Sequence, residues 1–537
     1  MIFQVLDSFS NSDPSWMFNW GDAFGFENYW AHLFAQFILI LYSICLVVIF
    51  FYSLLQLSLA LKYRKEKKRT KALEVSDFNM KNTPYVTVQL PVFNELHIAE
   101  RIIERVATFD YPKDKLQIQV LDDSTDETKN IVANKVAKIR AKYNVDIQHI
   151  HREDRKGFKA GALDSAMKDV KGEFIAIFDV DFLPDCDFLL KTIPYFTDEK
   201  IGVVQTRWGH INKDYSFLTE LQAFGLNGHF AIEQVGRNEN GYFINFNGTG
   251  GVWRKSCIEN TGGWEHDTLT EDLDLSYRAQ IKGWKFKYLE DIVAPAELPI
   301  TISALKSQQH RWMKGGAECF RKIAFSLIKA KGVSKSNKIH GLAHLFNSSV
   351  FIFILLLGIL SIPVLQIKDS FSDLNYIFQL GGIFIVSTFF LIFYYWQSYR
   401  DKTSNKIVSF FQFLVRFFQF LTVSMGLSLN NAVAVIEGYL GIKSSFVRTP
   451  KFNISSKKEV KQNKNIKKSL SPLTIFEGVL FLLFTYTTIS RLLIGDIGMV
   501  PFHFMLSVGY GFVFLSSIKE LIPTKTVIKT QLATEEV

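Results

Sequence analysis

Ile177-Phe178-Asp179-Val180-Asp181-Phe182 closes an apolar run that begins at Glu173. The run reads as a strand that ends in two aspartates separated by one residue. In extended backbone the side chains at i and i+2 lie on the same side. Asp179 and Asp181 can therefore face one point at the carboxyl end of a strand, where open α/β sheets place their ligands. Two converging carboxylates suit a hard divalent cation, which takes oxygen ligands and commonly also holds phosphate. An isolated Asp-x-Asp is equally an ordinary strand-to-loop turn, so the surrounding chain carries the decision.

From about 80 to 340, short apolar strands alternate with amphipathic helices, the pattern of a mostly parallel α/β sheet. Strands are expected at 85–90, 116–121, 146–150, 173–178 and 202–205, and helices at 97–109, 126–142 and 159–169. Several strand ends are polar and could line one edge: Asn94-Glu95, Asp122-Asp123, and Asp179 with Asp181.

Four further stretches bear on chemistry. Asp122-Asp123-Ser124-Thr125-Asp126 puts carboxylates where a nucleobase or ribose hydroxyl could be read, and it also has the make-up of a helix cap. Arg155-Lys156-Gly157-Phe158-Lys159-Ala160-Gly161 opens a helix. Glycines allow close backbone approach, a helix amino terminus favours anions, and Lys159 adds a charge, so a diphosphate would fit; a basic surface turn is the plainer reading. Asn247-Gly248-Thr249-Gly250-Gly251-Val252-Trp253-Arg254 lacks the spacing of a phosphate loop, and could line a sugar site or form a tight turn. Thr270-Glu271-Asp272-Leu273-Asp274 starts a helix, where carboxylates suit the dipole; one of them could instead be a general base. Gln308-Gln309-His310-Arg311-Trp312 could offer a ring to a sugar face and a guanidinium to phosphate, or be an ordinary interfacial Arg-Trp pair.

The flanks have a different texture. The chain has 537 residues, 48% of them hydrophobic and 21% charged, with a net charge of +9. That mixture fits a soluble domain set between membrane spans. Residues 1–30 contain no Lys or Arg, whereas 62–71 and 457–468 are dense in them. The asymmetry reads as topology and not as nucleic-acid binding, so no nucleic-acid partner is expected. The expected order is an extracytoplasmic segment 1–30, a span at 31–61, a cytoplasmic domain at 62–340, and two spans within 342–397. An interface helix, which could be broken, follows at 407–440. Residues 441–470 form a basic linker, 471–520 hold two spans, and 521–537 are a cytoplasmic tail. A short helical hairpin is the alternative at 407–440. The four cysteines, Cys45, Cys186, Cys257 and Cys319, have no metal spacing and read as reduced and structural.

In this order, Asp-Asp, Asp-x-Asp, Thr-Glu-Asp and Gln-x-x-Arg-Trp resemble the inverting family 2 glycosyltransferases of the cellulose-synthase-like branch. Gln205-Thr206-Arg207-Trp208 and the run 246–254 look especially like plant mannan and glucomannan synthases. The likeness covers about 80–450. It implies a GT-A-type nucleotide-sugar-binding domain inserted in an α-helical membrane bundle. By that resemblance Asp122, Asp123 and Lys159 would bind the donor, and Asp179 and Asp181 would hold Mg2+ or Mn2+. Asp272 would be the catalytic base, and Gln308, Arg311 and Trp312 would frame the acceptor. Phe446, Thr449 and Lys451 would belong to a mobile gating loop, in which Arg448 departs from the family pattern. The implied partners are a nucleotide sugar (UDP-glucose or GDP-mannose), a glycan acceptor and the lipid bilayer. The implied reaction is hexosyl transfer to a growing β-linked glycan, coupled to export. A single-addition glycolipid glycosyltransferase shares Gln-x-x-Arg-Trp, and a non-enzymatic transporter or channel is the alternative from another class.

Overall fold

The computed structural model describes residues 28–67, 83–96, 98–371, 373–374, 381–399, 404–444 and 470–521. The expected gating-loop residues Phe446, Thr449 and Lys451 lie outside them, as do nearly all of the segments 1–30, 441–470 and 521–537.

Seven strands form one mixed sheet: β1 Val86–Val92, β2 Leu116–Asp122, β3 Asp146–His151, β4 Phe174–Ile177, β5 Ile201–His210, β6 Gly251–Arg254 and β7 Lys285–Ala296. Their order is β3-β2-β1-β4-β6-β5-β7. β6 runs antiparallel to β4 and to β5, and the other neighbouring pairs are parallel. β1, β2 and β4 are buried along their whole length, because helices cover both faces of the sheet. Ala99–Ala107 and Thr128–Tyr143 pack on one face, and Phe158–Ala166 and Glu271–Ile281 on the other. The polar residues inside these strands pair across the ladder. Thr87 Oγ1 donates to Gln117 Oε1 (2.8 Å) and Gln89 Nε2 to Gln119 Oε1 (3.0 Å), each pair in direct register. Buried polar groups need such partners.

Strand order reverses between β1 and β4, where the winding passes from one face to the other. The carboxyl ends of β1, β2 and β4 therefore open one crevice at a topological switch point. All five strands expected from the sequence are present within a few residues. β6 and β7 were not anticipated. β6 hides in the glycine-rich run, with Trp253 fully buried. β7 is an edge strand, and Lys285, Lys287 and Asp291, on one of its faces, are polar.

One local expectation needs correcting. β4 ends at Ile177, and Asp179 and Asp181 sit on a turn closed by the Phe182 N–H donating to the Asp179 carbonyl (3.0 Å). The two aspartates reach one cavity from a turn rather than from alternate positions of a strand.

Beyond the sheet, five helical stretches among the described residues are long and apolar enough to cross a membrane: Tyr29–Lys65, Lys335–Ser370, Lys406–Gly426, Pro472–Leu493 and Val500–Leu521. Gly381–Ser398, read from sequence as part of a span, is an 18-residue helix packed against Asn28–Lys67. The region 407–440 is two helices, Lys406–Gly426 and Ser428–Leu440, broken at Leu427.

Candidate functional site

The crevice at the switch point holds a cavity of about 160 Å³. Four distant segments contribute to its wall. The β2 end supplies Asp123, the turn after β4 supplies Asp179 and Asp181, the helix Glu271–Ile281 supplies Glu271 and Asp272, and the helix Ile302–Lys329 supplies Gln308, Arg311 and Trp312. Gln308, Arg311 and Trp312 share one helix face because residues three and four apart are neighbours there. That helix lies close to the Thr270 turn. A Cβ on Gly315 would come within 2.5 Å of Thr270 Cγ2, so a larger residue would push the two elements apart.

Lys159 crosses the cavity floor. Its Nζ donates to Asp179 Oδ1 (2.6 Å) and to the Gly248 carbonyl (2.8 Å). Its helix starts at Gly157, in the left-handed region at φ +73°, and a Cβ on Gly161 would lie 2.1 Å from the Lys156 carbonyl oxygen. Both glycines are thus required for the turn that delivers Lys159. Burial alone would push the Lys159 ammonium down, but the Asp179, Glu271 and Asp272 carboxylates outweigh it and hold its pKa above the ordinary value.

Gly248 also has a positive φ of +77°, and a Cβ there would approach Asp272 Oδ2 to 3.0 Å. The glycine-rich run is therefore a turn beneath Asp272 that leads into β6. Its aromatic residues Phe246 and Trp253 are buried in the core and do not line the cavity. Asp272 is pushed up from the usual carboxylate range to about 7, first by burial and then by the neighbouring Glu271 carboxylate. This happens although its place in the first helical turn favours the ionised form. A carboxyl group poised near neutrality suits proton transfer.

Asp122 and Asp123 part company. Asp123 lines the cavity and takes a two-pronged contact from Arg152, Nε at 2.8 Å and Nη2 at 2.6 Å. Asp122 is fully buried, accepts from the Ser124 N–H (2.8 Å) and faces His149 Nε2 (2.8 Å). Asp274, another carboxylate of the Thr-Glu-Asp stretch, is buried against Arg278 and Lys322.

The sequence reading missed several wall residues. Arg155 lies over the Phe93 ring, 3.3 Å from its centre, at the cavity edge. Its only signal was a position just before the Gly157 turn. His210, pushed down to about 4 by burial and then by Arg207 and Lys213, stands on the wall as a neutral ring. Glu297 follows β7, an element the sequence did not reveal.

A second cavity, about 480 Å³, shares Trp208, Leu226, Asn247, Thr270, Asp272 and Trp312 with the first. It runs between the long apolar helices, reaching Tyr52, Tyr394, Ser424 and Phe502.

The Glycosyltransferase like family 2 profile matches residues 84–315. A probable glucomannan 4-beta-mannosyltransferase 4 of Oryza sativa subsp. japonica is 44% identical over 49% of this chain and 49% of its own length. Glucomannan 4-beta-mannosyltransferase 9 of Arabidopsis thaliana is 41% identical over 52% of this chain and 53% of its own. The chain thus spans about half the length of these curated relatives. A solved mannosyltransferase from Pyrobaculum calidifontis, in complex with GDP-Man and Mn2+, aligns with a TM-score of 0.48 and 19% identity, over 68% of this chain and 100% of that one. With motif order, sheet topology and profile in agreement, residues 84–315 belong to the family 2 glycosyltransferases, in the cellulose-synthase-like branch.

Proposed function

We propose that this protein is a membrane-embedded inverting hexosyltransferase that extends a β-linked glycan from a nucleotide sugar, adding mannose by preference. The observation that carries the reading is the meeting of Asp123, Lys159, Asp179, Asp181, Asp272 and Trp312 around one cavity at the sheet's switch point. The mannosyl preference rests on the 4-beta-mannosyltransferases to which about half of this chain is similar. GDP-mannose is accordingly the first donor to test and UDP-glucose the second.

The parts divide the work. Asp123, held by Arg152, meets the nucleoside, with Asp122 positioned behind it. Lys159 faces the diphosphate. Asp179 and Asp181 offer only oxygen donors to the one cavity, so the pair fits Mg2+ or Mn2+. Such an ion, when bound there, offsets charge on the diphosphate oxygens. Trp312 gives the acceptor sugar a flat face beneath Asp272, with Gln308 and Arg311 beside it. The acceptor hydroxyl attacks the anomeric carbon, Asp272 takes its proton, and the bond from that carbon to the diphosphate oxygen breaks. One displacement inverts the centre, so an α-linked donor gives a β-linkage.

The 480 Å³ cavity favours a growing polymer over a single addition, because it leads away from Asp272 and Trp312 between the apolar helices. Lys62, Arg64 and Lys65 end the first long helix, and positive residues stay cytoplasmic. We therefore assign the transferase domain to the cytoplasm. The interfacial placement of 407–440 is kept: Arg416 pairs with Glu220 and Glu437 with Lys314, both partners lying on helices of the domain.

The test is incubation of the purified, lipid-reconstituted protein with labelled GDP-mannose and UDP-glucose, followed by linkage analysis. Release of nucleoside diphosphate together with a β-1,4-linked polymer is the expected result. Absence of transfer from every nucleotide sugar tried would sink the proposal.

A further inference from the structure

Asp122 turns away from the cavity, and two histidines of the neighbouring strand converge on it. β3 is an edge strand, and its register against β2 sets His149 opposite Val120 and His151 opposite Asp122. His149 and His151, two residues apart, share one face of the strand. Asp122 Oδ1 is taken by the Ser124 N–H, which leaves Oδ2 to both rings: His149 Nε2 at 2.8 Å and His151 Nδ1 at 3.7 Å. Ligand atoms of the three residues lie within 4.8 Å of one another. A single hydrogen bond from His149 accounts for one ring. It leaves the second without a role, because His151 Nδ1 is buried with no hydrogen-bond partner among the described residues.

We propose that Asp122, His149 and His151 form a binding site for a transition-metal dication of the Zn2+ class, separate from the donor cavity. Two imidazole nitrogens and one carboxylate oxygen are the donors that borderline ions prefer, whereas Mg2+ asks for oxygen alone. The histidine side chains are 16% and 19% exposed, so solvent can reach the group and fill a remaining position. A second carboxylate cluster, Glu265, Asp267 and Asp274, makes a useful contrast. Lys322 Nζ already sits inside it at 2.6, 2.6 and 3.0 Å, and an ammonium there excludes a metal. At Asp122 no ammonium intrudes among the described residues. A bound ion would pin the end of β2 to the end of β3, directly behind Asp123 and the Arg152 that holds it. That would stiffen the nucleoside wall of the cavity.

The test does not depend on transferase activity. The full-length protein in detergent, without a polyhistidine tag, is stripped with chelator and titrated with Co2+, whose ligand-field absorption reports the donor set. About one Co2+ per chain is expected, displaced by Zn2+ and not by excess Mg2+. His151→Gln should weaken binding by at least about tenfold, as loss of metal-site partners does, and Asp181→Asn should leave it unchanged. X-ray absorption on the Zn2+-loaded parent protein reads imidazole ligands directly, without relying on any variant. A parent protein that takes up no Co2+ or Zn2+ overturns the proposal. So does a Zn2+ spectrum without imidazole scattering, or uptake lost in Asp181→Asn and kept in His151→Gln.

Discussion

Asp272 is where burial and charge do most. Its carboxyl lies up near 7 because burial disfavours the anion and Glu271 repels it. Proton abstraction needs the anion, so turnover should fall about tenfold per pH unit on the acid side of that value, the limb expected of an essential base. Glu271→Gln removes the repulsion and should move this limb to lower pH; an unmoved limb in a pH–rate profile counts against the assignment. Stability carries the same sign. A carboxyl whose folded pKa is raised contributes stability that is present below its unfolded pKa and lost as pH rises through about 7. Asp272→Asn should therefore melt higher than the parent at pH 8 and not at pH 4, while sugar transfer drops by ~10²–10⁴-fold. Gly248→Ala should also cost transfer, through its positive φ and a Cβ 3.0 Å from Asp272 Oδ2. Kinetics on the folded variant check this, and near-normal turnover would show that the loop yields.

Helices decide whether the motifs meet. The helix Ile302–Lys329 brings Gln308, Arg311 and Trp312 beneath Asp272 because Gly315 lets it close on Thr270. Gly315→Val should force the two elements apart, at a stability cost of about 1–3 kcal/mol typical of overpacking. Nucleoside diphosphate binding, which the proposed function puts on the other side of the cavity, should survive while transfer to acceptor falls. Calorimetry with the nucleotide alone separates the two effects, and equal loss of both would contradict the division of roles. The motif spacing was legible at this scale. The Gln-x-x-Arg-Trp face follows from helical period, and the strand positions follow from apolar runs. β7 was not legible, since an edge strand keeps polar residues on its outer face and loses the apolar signature.

Across the whole molecule, the cavity at the sheet's switch point and the cavity among the apolar helices share wall residues, Asp272 and Trp312 among them, and the proposed function makes the second the product's path. Ser424 lies on the wall of the 480 Å³ cavity and of a smaller one beside Trp312. Ser424→Trp should block that path and shorten the product, while the first additions to a short acceptor continue. Product sizing by mass spectrometry checks it; unchanged chain length would argue for single addition or another exit.

By itself the sequence determined the α/β character of residues 80–340, the apolar flanks, and the presence of four acidic and aromatic motifs in order. These signals are local: strand and helix periods, hydropathy and charge are written within a few residues of each other. Part of the Asp122–Asp123 split was also present there, since adjacent residues of a strand point to opposite sides. Only the tertiary structure decided which carboxylates share a cavity. Asp179, Asp181 and Asp272 do, Asp122 is turned to the β3 histidines, and Asp274 is spent on Arg278 and Lys322. Those outcomes depend on sheet order and on the close approach at Gly315 and Gly248, contacts between residues far apart in the chain that no local pattern encodes.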